Sequence, residues 1–186
     1  MSYNLYGVIR NHLTALMMGT YTPAGARVFQ VGRFKRLSQD RSIETTPPNE
    51  VERSFEITIT NTEELEPWNS FNIESLEKID FQIAVGYQYT NAGMFPDDTA
   101  EGLSSMQGNG DVDSINDRAF TDSSEIIKLF SYHANFGIIQ ASPLVDIFGI
   151  QPLNNNTLTY FKDRAVMIIK MQLFLKISTS SDYSGF

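Results

Sequence analysis

The side chains best suited to acid–base chemistry in this chain are its two histidines, His12 and His133. A histidine acts as a general base when a positioned hydroxyl or carboxylate completes the catalytic group. Each histidine lies on or beside the apolar stripe of a predicted helix, and no motif places a serine or an aspartate to complete a triad. We therefore predict structural roles for both histidines, no catalytic residues and no enzymatic activity.

A second group with possible chemistry is the run NGDVDSIND, from Asn109 to Asp117. Its oxygen-bearing side chains alternate as in half of a calcium loop, but, counted from Asn109 or Asp111, it lacks the loop's glycine at the sixth position and its glutamate at the twelfth. The chain has no cysteine, and no glycine-rich stretch continues into the Gly-Lys-Ser/Thr of a phosphate loop. The sequence predicts a solvated loop here, with calcium left as an open alternative, and no cofactor.

Charge and length narrow the class of protein further. The chain has 186 residues, with 22 acidic against 14 basic side chains and a formal net charge of −8. Nucleic-acid phosphates are bound by clustered Lys and Arg, so specific DNA binding is not expected. The longest apolar run, AVMIIKMQLFLKI, is interrupted by lysines and is too short for a hydrocarbon core of about 30 Å. We expect a soluble protein without a membrane contact, with one domain over 1–177 and a flexible tail over 178–186.

Helical periodicity predicts two amphipathic helices. The first spans Tyr3 to Met18, and Gly19 stands at its C-terminal cap position. The second begins at Asp122, where DSSE has the form of a capping box, and its apolar face continues toward Gly137. The residues on the face of the first helix are Leu5, Val8, Ile9, His12, Leu16 and Met17.

Alternation of apolar and polar residues predicts the strands. The predicted strands are ARVFQVGRF, with Phe29 and Val31 in a short strand; ERSFEITITN; IDFQIAVGYQY, from Ile79 to Tyr89; and the closing VMIIKMQLFLKIS. Between them, 62–78 is predicted as a long excursion with a short helix after Pro67, and 91–116 as a long loop. The segment 137–151 is apolar but broken by Pro143 and Gly149, and NNNT is predicted as a turn. These elements predict an α+β fold: an antiparallel sheet of four or more strands with two amphipathic helices packed on one face.

Two groups of residues are candidates for contact with another subunit or a partner. Large apolar side chains in predicted loops are either buried under the loop or presented to a partner. The second face of the closing strand mixes charged, polar and aromatic residues, which indicates partial exposure or a subunit contact. The candidates are Trp68, Phe71, Met94 and Phe95 in the loops, and Lys170, Gln172, Phe174 and Lys176 in the closing strand.

The order of elements resembles that of the tail-terminator proteins of long-tailed bacteriophages. The resemblance lies in an N-terminal amphipathic helix, the strongly alternating FQIAVGYQY, DSSEIIKLF on a second helix, and a closing VMIIKMQLFLKI. It covers most of the chain, and the extra length falls in 62–78, 91–116 and 137–156.

The resemblance implies a structural virion protein at the tail or neck, made in the cytoplasm of the bacterial host. Such a protein would form a homo-oligomeric, hexameric ring that ends polymerisation of the tail tube and contacts the tail tube protein and a head-completion protein. DNA would pass through its lumen without specific binding, and an acidic lining suits this passage. Two alternatives remain open: another head–tail connector, such as a stopper or neck protein, and a small-ligand-binding or enzymatic α+β domain.

Overall fold

The computed structural model describes residues 5–21, 25, 27–38, 41–66, 74–89, 111–136, 145–153, 155–161 and 163–178. These residues form an α+β fold with a mixed, mostly antiparallel sheet. The helices are α1 (Leu5–Met18) and α2 (Asp111–Phe130); the strands are β1 (Lys35–Arg36), β2 (Ser54–Glu66), β3 (Glu74–Gln88), β4 (Val145–Pro152), β5 (Thr157–Tyr160) and β6 (Arg164–Ser178). Short 3-10 helices lie at Pro48–Glu50 and His133–Phe136.

The long strands β3 and β6 form the centre of the sheet. They pair antiparallel without a break, from Glu74 opposite Ser178 to Gln88 opposite Arg164. The strand order is β1-β2-β3-β6-β4, with β5 pairing β6 beside that path. All pairs are antiparallel except β1 with β2, which is parallel. The expected α+β class is therefore confirmed, while the expectation of a purely antiparallel sheet is corrected by β1.

One face of the sheet carries the main hydrophobic core. Alternate residues of β3 and β6 are buried on it, as the period of a strand requires. Buried side chains of both helices belong to the same cluster, and the rings of Phe81 and Phe130 meet edge to face at 6.3 Å between centroids. Burying one such large apolar side chain contributes about 1.5–3 kcal/mol. The buried residues of the two central strands in this cluster are Ile79, Phe81, Ile83, Val85, Tyr87, Ala165, Met167, Ile169, Met171, Leu173 and Leu175.

The opposite face is covered at one end by the segment that precedes β2. Ile43 and Val51 pack there with Ala84 and Val166 in a second, smaller hydrophobic cluster. The buried Arg164 guanidinium ties this segment down, because it donates to the backbone carbonyls of Ile43 and Thr46, the latter at 2.7 Å. The chain thus covers the apolar end of this face itself.

The predicted helix α1 is confirmed together with its cap. Gly19 has φ of 68° and its N–H donates to the Leu16 carbonyl at 3.1 Å, while the Thr20 N–H donates to the Ala15 carbonyl at 3.0 Å. This pair of bonds is the Schellman arrangement, which ends a helix in the left-handed conformation that glycine tolerates.

The prediction of a strand around Phe29 and Val31 is wrong. Phe29 is buried, but Val31 is 71% exposed and lies in a turn that the Arg33 N–H closes onto the Gln30 carbonyl at 3.1 Å. Gly32 has φ of 81°, a value incompatible with an extended strand, so the alternation of side chains ends there. Only Lys35 and Arg36 pair as a strand.

The second helix begins earlier than predicted. It starts at Asp111, so Asp122 lies in its interior and the predicted capping box does not cap it. The helix ends at Phe130 and is followed by a separate 3-10 turn. Residues 91–110 of the predicted long loop lie outside the described residues, whereas 111–116 are helical.

The segment predicted as an excursion over 62–78 is largely strand. β2 continues to Glu66 and β3 begins at Glu74, so their pairing extends past the predicted strands through two register shifts. Residues 67–73, with the predicted short helix, lie outside the described part of the chain. The predictions also missed β4 and β5. In β4, Gly149 interrupts the apolar pattern and sits at a β-bulge, where β4 and β6 change register.

Candidate interaction surface

The predicted contact residues divide into two groups in the structure. Trp68, Phe71, Met94 and Phe95 lie outside the described residues. The other four share one face of β6, opposite the main core. The structure therefore brings together Lys170, Gln172, Phe174 and Lys176 on a single surface.

This surface is the end of the sheet's second face that the described segment before β2 does not reach. We call it the polar sheet face. On β6, the strand at the centre of this face, Lys170 is exposed, and the three other predicted residues are partly buried. Across the ladder, Lys170 lies opposite Gln82; Gln172 opposite Asp80 and Gln151; Phe174 opposite Lys78 and Gly149; and Lys176 opposite Leu76 and Asp146.

Two polar contacts fix side chains on the polar sheet face. The Lys78 ammonium forms an ion pair with the Glu63 carboxylate, and this hydrogen bond raises the pKa of Lys78. The Asn61 amide donates to Asp80 Oδ2 over 3.5 Å, at the long limit for a hydrogen bond. Asp80 Oδ1 is buried and finds no hydrogen-bond partner among the described residues. This carboxylate oxygen can therefore accept a further hydrogen bond.

The aromatic ring on this surface lies opposite a glycine. Phe174 is partly buried, and the backbone opposite it is Gly149. A Cβ added at Gly149 would meet no described atom within 4 Å apart from those of its chain neighbours. A partly buried aromatic side chain among charged residues has the composition of an interface anchor, in which the apolar ring contributes energy and the charges specify the partner.

A buried carboxylate cluster that the sequence reasoning missed joins α2 to the sheet. The Asp122 side chain is 0% exposed and accepts hydrogen bonds from Arg33 Nη2 at 2.6 Å, from Arg53 Nε at 2.8 Å and from the Tyr87 hydroxyl at 3.2 Å. The bond to Asp122 raises the pKa of Arg53, and burial beside Asp122 raises the pKa of Tyr87. The raised pKa values keep Arg53 charged and the Tyr87 hydroxyl neutral, so this cluster is a structural clamp rather than a proton-transfer site.

The clamp has a recognisable sequence signal. Asp122 follows Ala119 by three residues and precedes Ile126 by four, so it occupies a buried position in the apolar stripe of α2. A charged residue buried in such a stripe requires a partner of opposite charge. Arg53 supplies one from a left-handed backbone, with φ of 51°.

Further ion pairs surround the clamp. Arg33 Nη1 lies 2.5 Å from Glu125 Oε2, and Arg118 Nη1 lies 2.7 Å from Glu52 Oε1. The second oxygen of Glu52 accepts from the Gln88 N–H at 2.9 Å. These contacts connect α2, the turn before β2 and the end of β3, so they orient the helix on the sheet.

The two histidines differ in environment. His12 is buried, its Nε2 lies 2.5 Å from the Asn135 carbonyl, and burial lowers its pKa. Its Nδ1 is buried without a hydrogen-bond partner in the described part of the chain, which fits the neutral Nε2–H tautomer. His133 is exposed, in the 3-10 turn after α2.

The run considered for calcium adopts another conformation. Asp111 to Asp117 form the first turns of α2, and a continuous helix does not wrap its side chains around an ion as a calcium loop does. Asn109 lies outside the described residues. Within the described ranges, no group of three or more His, Cys, Asp or Glu side chains could hold a metal ion.

Comparison with known proteins matches the chain to no protein-family model and to no curated protein. Neither of the helices that the structure describes has the length and apolar character needed to cross a membrane.

Proposed function

We propose that this chain is a structural virion protein that forms a ring at the head-proximal end of a bacteriophage tail tube. In this role it ends polymerisation of the tube and joins the tail to the head connector. Its partners are the other copies in a proposed ring of six, the tail tube protein and a head-completion protein. DNA passes through the lumen without specific binding, and the protein is not an enzyme.

The observation that carries this proposal is the polar sheet face. A long, continuously paired β3–β6 ladder holds Lys170, Gln172 and Phe174 at fixed spacing on it. A rigid sheet that positions an aromatic ring among charged side chains supports a role in protein–protein contact, since such anchors dominate the energy of interfaces.

The fold adds support for a ring subunit. We propose that both helices pack on the face opposite the polar sheet face, since their buried residues share one cluster with that opposite face. This arrangement leaves the polar sheet face for contacts with neighbours, and a heterologous contact that closes produces a ring. The net charge of −8 favours a lumen through which DNA slides without being held.

Negative-stain electron microscopy of the purified protein tests the proposal. We expect rings with a central hole wide enough for duplex DNA. Light scattering of the same sample gives the subunit number. Because some ring proteins assemble only on their partner, the sample is also imaged with tail tubes. A monomer that stays monomeric at all concentrations and binds no tubes would refute the proposal.

The position on the particle separates this role from that of another head–tail connector. Labelled protein at the top of isolated, head-free tails supports the tail-terminator role. Label confined to the portal side of tail-free heads instead identifies a stopper or neck protein.

A further inference from the structure

A cleft of about 370 Å³ lies between α1 and the edge of the sheet where β1 ends. It is lined by residues of α1, of β1 and the segment after it, and of β2. Those that matter for recognition are Arg10, Thr14, Arg36, Arg41, Ile57 and Thr58. We call it the arginine cleft.

The arginine cleft concentrates positive charge in an acidic protein. Arg10 and Arg36 are exposed, and neither contacts a carboxylate among the described residues. Arg41 is already paired with Glu50, at 2.7 Å. Since the whole chain carries a net charge of −8, two guanidinium groups without a described counter-ion in one cleft indicate an external carboxylate or phosphate.

Glu56, which also lines the cleft, is not that counter-ion. It forms no ion pair with the arginines, and its pKa is raised by burial and by the neighbouring Glu44. Burial and Glu44 both act on Glu56 from the sheet face that the segment before β2 covers, not from the face on which the two arginines lie.

The backbone beside the cleft offers hydrogen bonds as well as charge. The Lys35 N–H donates to the Arg53 carbonyl at 3.0 Å and the Leu37 N–H to the Phe55 carbonyl at 3.2 Å, and with this bond the described β1–β2 ladder ends. Alternate residues of a strand direct their backbone groups to the same edge. Ile57 and Ile59 therefore direct theirs outward where no described strand pairs with them.

The side chains of the two arginines lie on one side of this open edge. Arg36 pairs with Phe55 in parallel register, so both side chains point to the sheet face that carries the main core. Arg10 belongs to α1, whose buried residues pack in that core. A strand added beside Ile57 would present alternate side chains, about 7 Å apart, to both arginines.

We propose that the arginine cleft binds an extended acidic segment of a partner protein, which adds to the open edge of β2 and places two carboxylates, two residues apart, on Arg10 and Arg36. Backbone hydrogen bonds along Ile57 to Ile59 hold the segment, as in other cases of strand addition. The register shift between Ile59 and Asn61 ends the regular edge, so the recognised segment is short.

Peptide carboxylates fit this site better than a nucleic acid does. A polyanion would meet the repulsion of the net negative charge over many phosphates, whereas two carboxylates interact locally with the cleft. The backbone groups of this open edge can also form strand hydrogen bonds with a peptide, whereas a nucleic acid has no peptide backbone to pair with them. This inference does not rest on the proposed ring, because a monomer would present the same cleft.

The test measures fluorescence anisotropy of labelled Thr-Glu-Thr-Glu-Thr on the full chain, with Thr-Gln-Thr-Gln-Thr as its uncharged match. We expect saturable binding of the glutamate peptide that weakens as salt rises from about 20 to about 200 mM. The glutamine peptide should bind about tenfold more weakly or not at all. Equal affinity for the two peptides would overturn the proposal without any need for a variant.

Variants test whether the glutamate peptide binds in the arginine cleft. R10Q/R36Q should weaken binding of the glutamate peptide about tenfold, since both charge pairs are lost. R27Q/K128Q is the matched control, because it removes two exposed positive charges that line a different cleft. An equal loss in both variants would show general electrostatic attraction and refute the cleft. Binding of inorganic phosphate or of a short DNA duplex without binding of the peptide would also refute it.

Discussion

His12 is buried in its neutral form, so we expect it to make stability depend on pH. Burial lowers its pKa in the folded protein. In the unfolded chain it takes up a proton below about pH 6.5, so acidification there favours unfolding. The free energy of unfolding should fall between about pH 7.5 and about pH 5.5, by at most about 1.4 kcal/mol per pH unit for this one group. Urea unfolding at the two pH values measures it.

Two glutamine variants isolate this effect. H12Q keeps a side-chain N–H donor for the Asn135 carbonyl but removes the titration, so its stability should fall less on acidification. H133Q changes the exposed histidine and should retain the wild-type pH dependence. If the free energy of unfolding of H12Q falls on acidification as much as that of the wild type, then other groups cause the pH dependence.

Asp122 holds two arginines, and its removal leaves their charges without a buried counter-ion. We expect D122N to lower the free energy of unfolding by about 3 kcal/mol, since breaking one side of a buried ionic group is costly. The matched control is D117N, at an exposed position of the same helix, which should change stability by less than about 0.5 kcal/mol. Equal stability of the two variants in urea would contradict the clamp.

At the scale of the element, the C-terminal cap of α1 depends on glycine for two reasons. Gly19 has positive φ, and a Cβ there would lie 2.2 Å from the Phe29 carbonyl oxygen. We expect G19A to lower the free energy of unfolding by at least about 2 kcal/mol, from the strained conformation together with the displaced backbone.

G149A is the control for that substitution. Gly149 lies in β4, has no positive φ, and a Cβ there would meet no described atom within 4 Å apart from those of its chain neighbours. Thermal unfolding should show a small change for G149A, within about 0.5 kcal/mol, and a large loss for G19A. Comparable melting temperatures for G19A and the wild type would show that the backbone near Phe29 adjusts freely.

For the whole molecule, the proposed ring predicts that a charge reversal on the polar sheet face weakens assembly without unfolding the subunit. Lys170 is exposed at the centre of β6. We expect K170E to raise the dissociation constant of the ring about tenfold or more, because a mismatched charge at a contact opposes association. K128E carries the same change on α2 and should assemble like the wild type. Sedimentation over a concentration series measures both, and identical assembly of the two variants would remove this face from the contact.

Periodicity predicted the parts of the fold in which neighbouring residues in the chain set the pattern. Helix α1 and its glycine cap, and the alternating strands β2, β3 and β6, were predicted because a regular element repeats its burial every few residues. The sequence also placed Lys170, Gln172, Phe174 and Lys176 on one face of one strand. Whether that face contacts another subunit stays a prediction.

Long-range contacts decided the rest. Asp122 has the local signature of a helix start, but Arg33 and Arg53, distant in sequence, stabilise it in the interior of α2. The hydroxyls of Tyr87 and Tyr89 likewise donate to Asp122 and to the Arg164 carbonyl inside the protein, partners that the alternation of β3 does not indicate.

The sequence by itself determined which residues face the core of each regular element, because side-chain period follows from local backbone geometry. Only the tertiary structure decided the parallel pairing of β1, the buried clamp and the arginine cleft. Each of these joins segments far apart in the chain, and no local pattern encodes which distant charge or backbone edge will lie opposite.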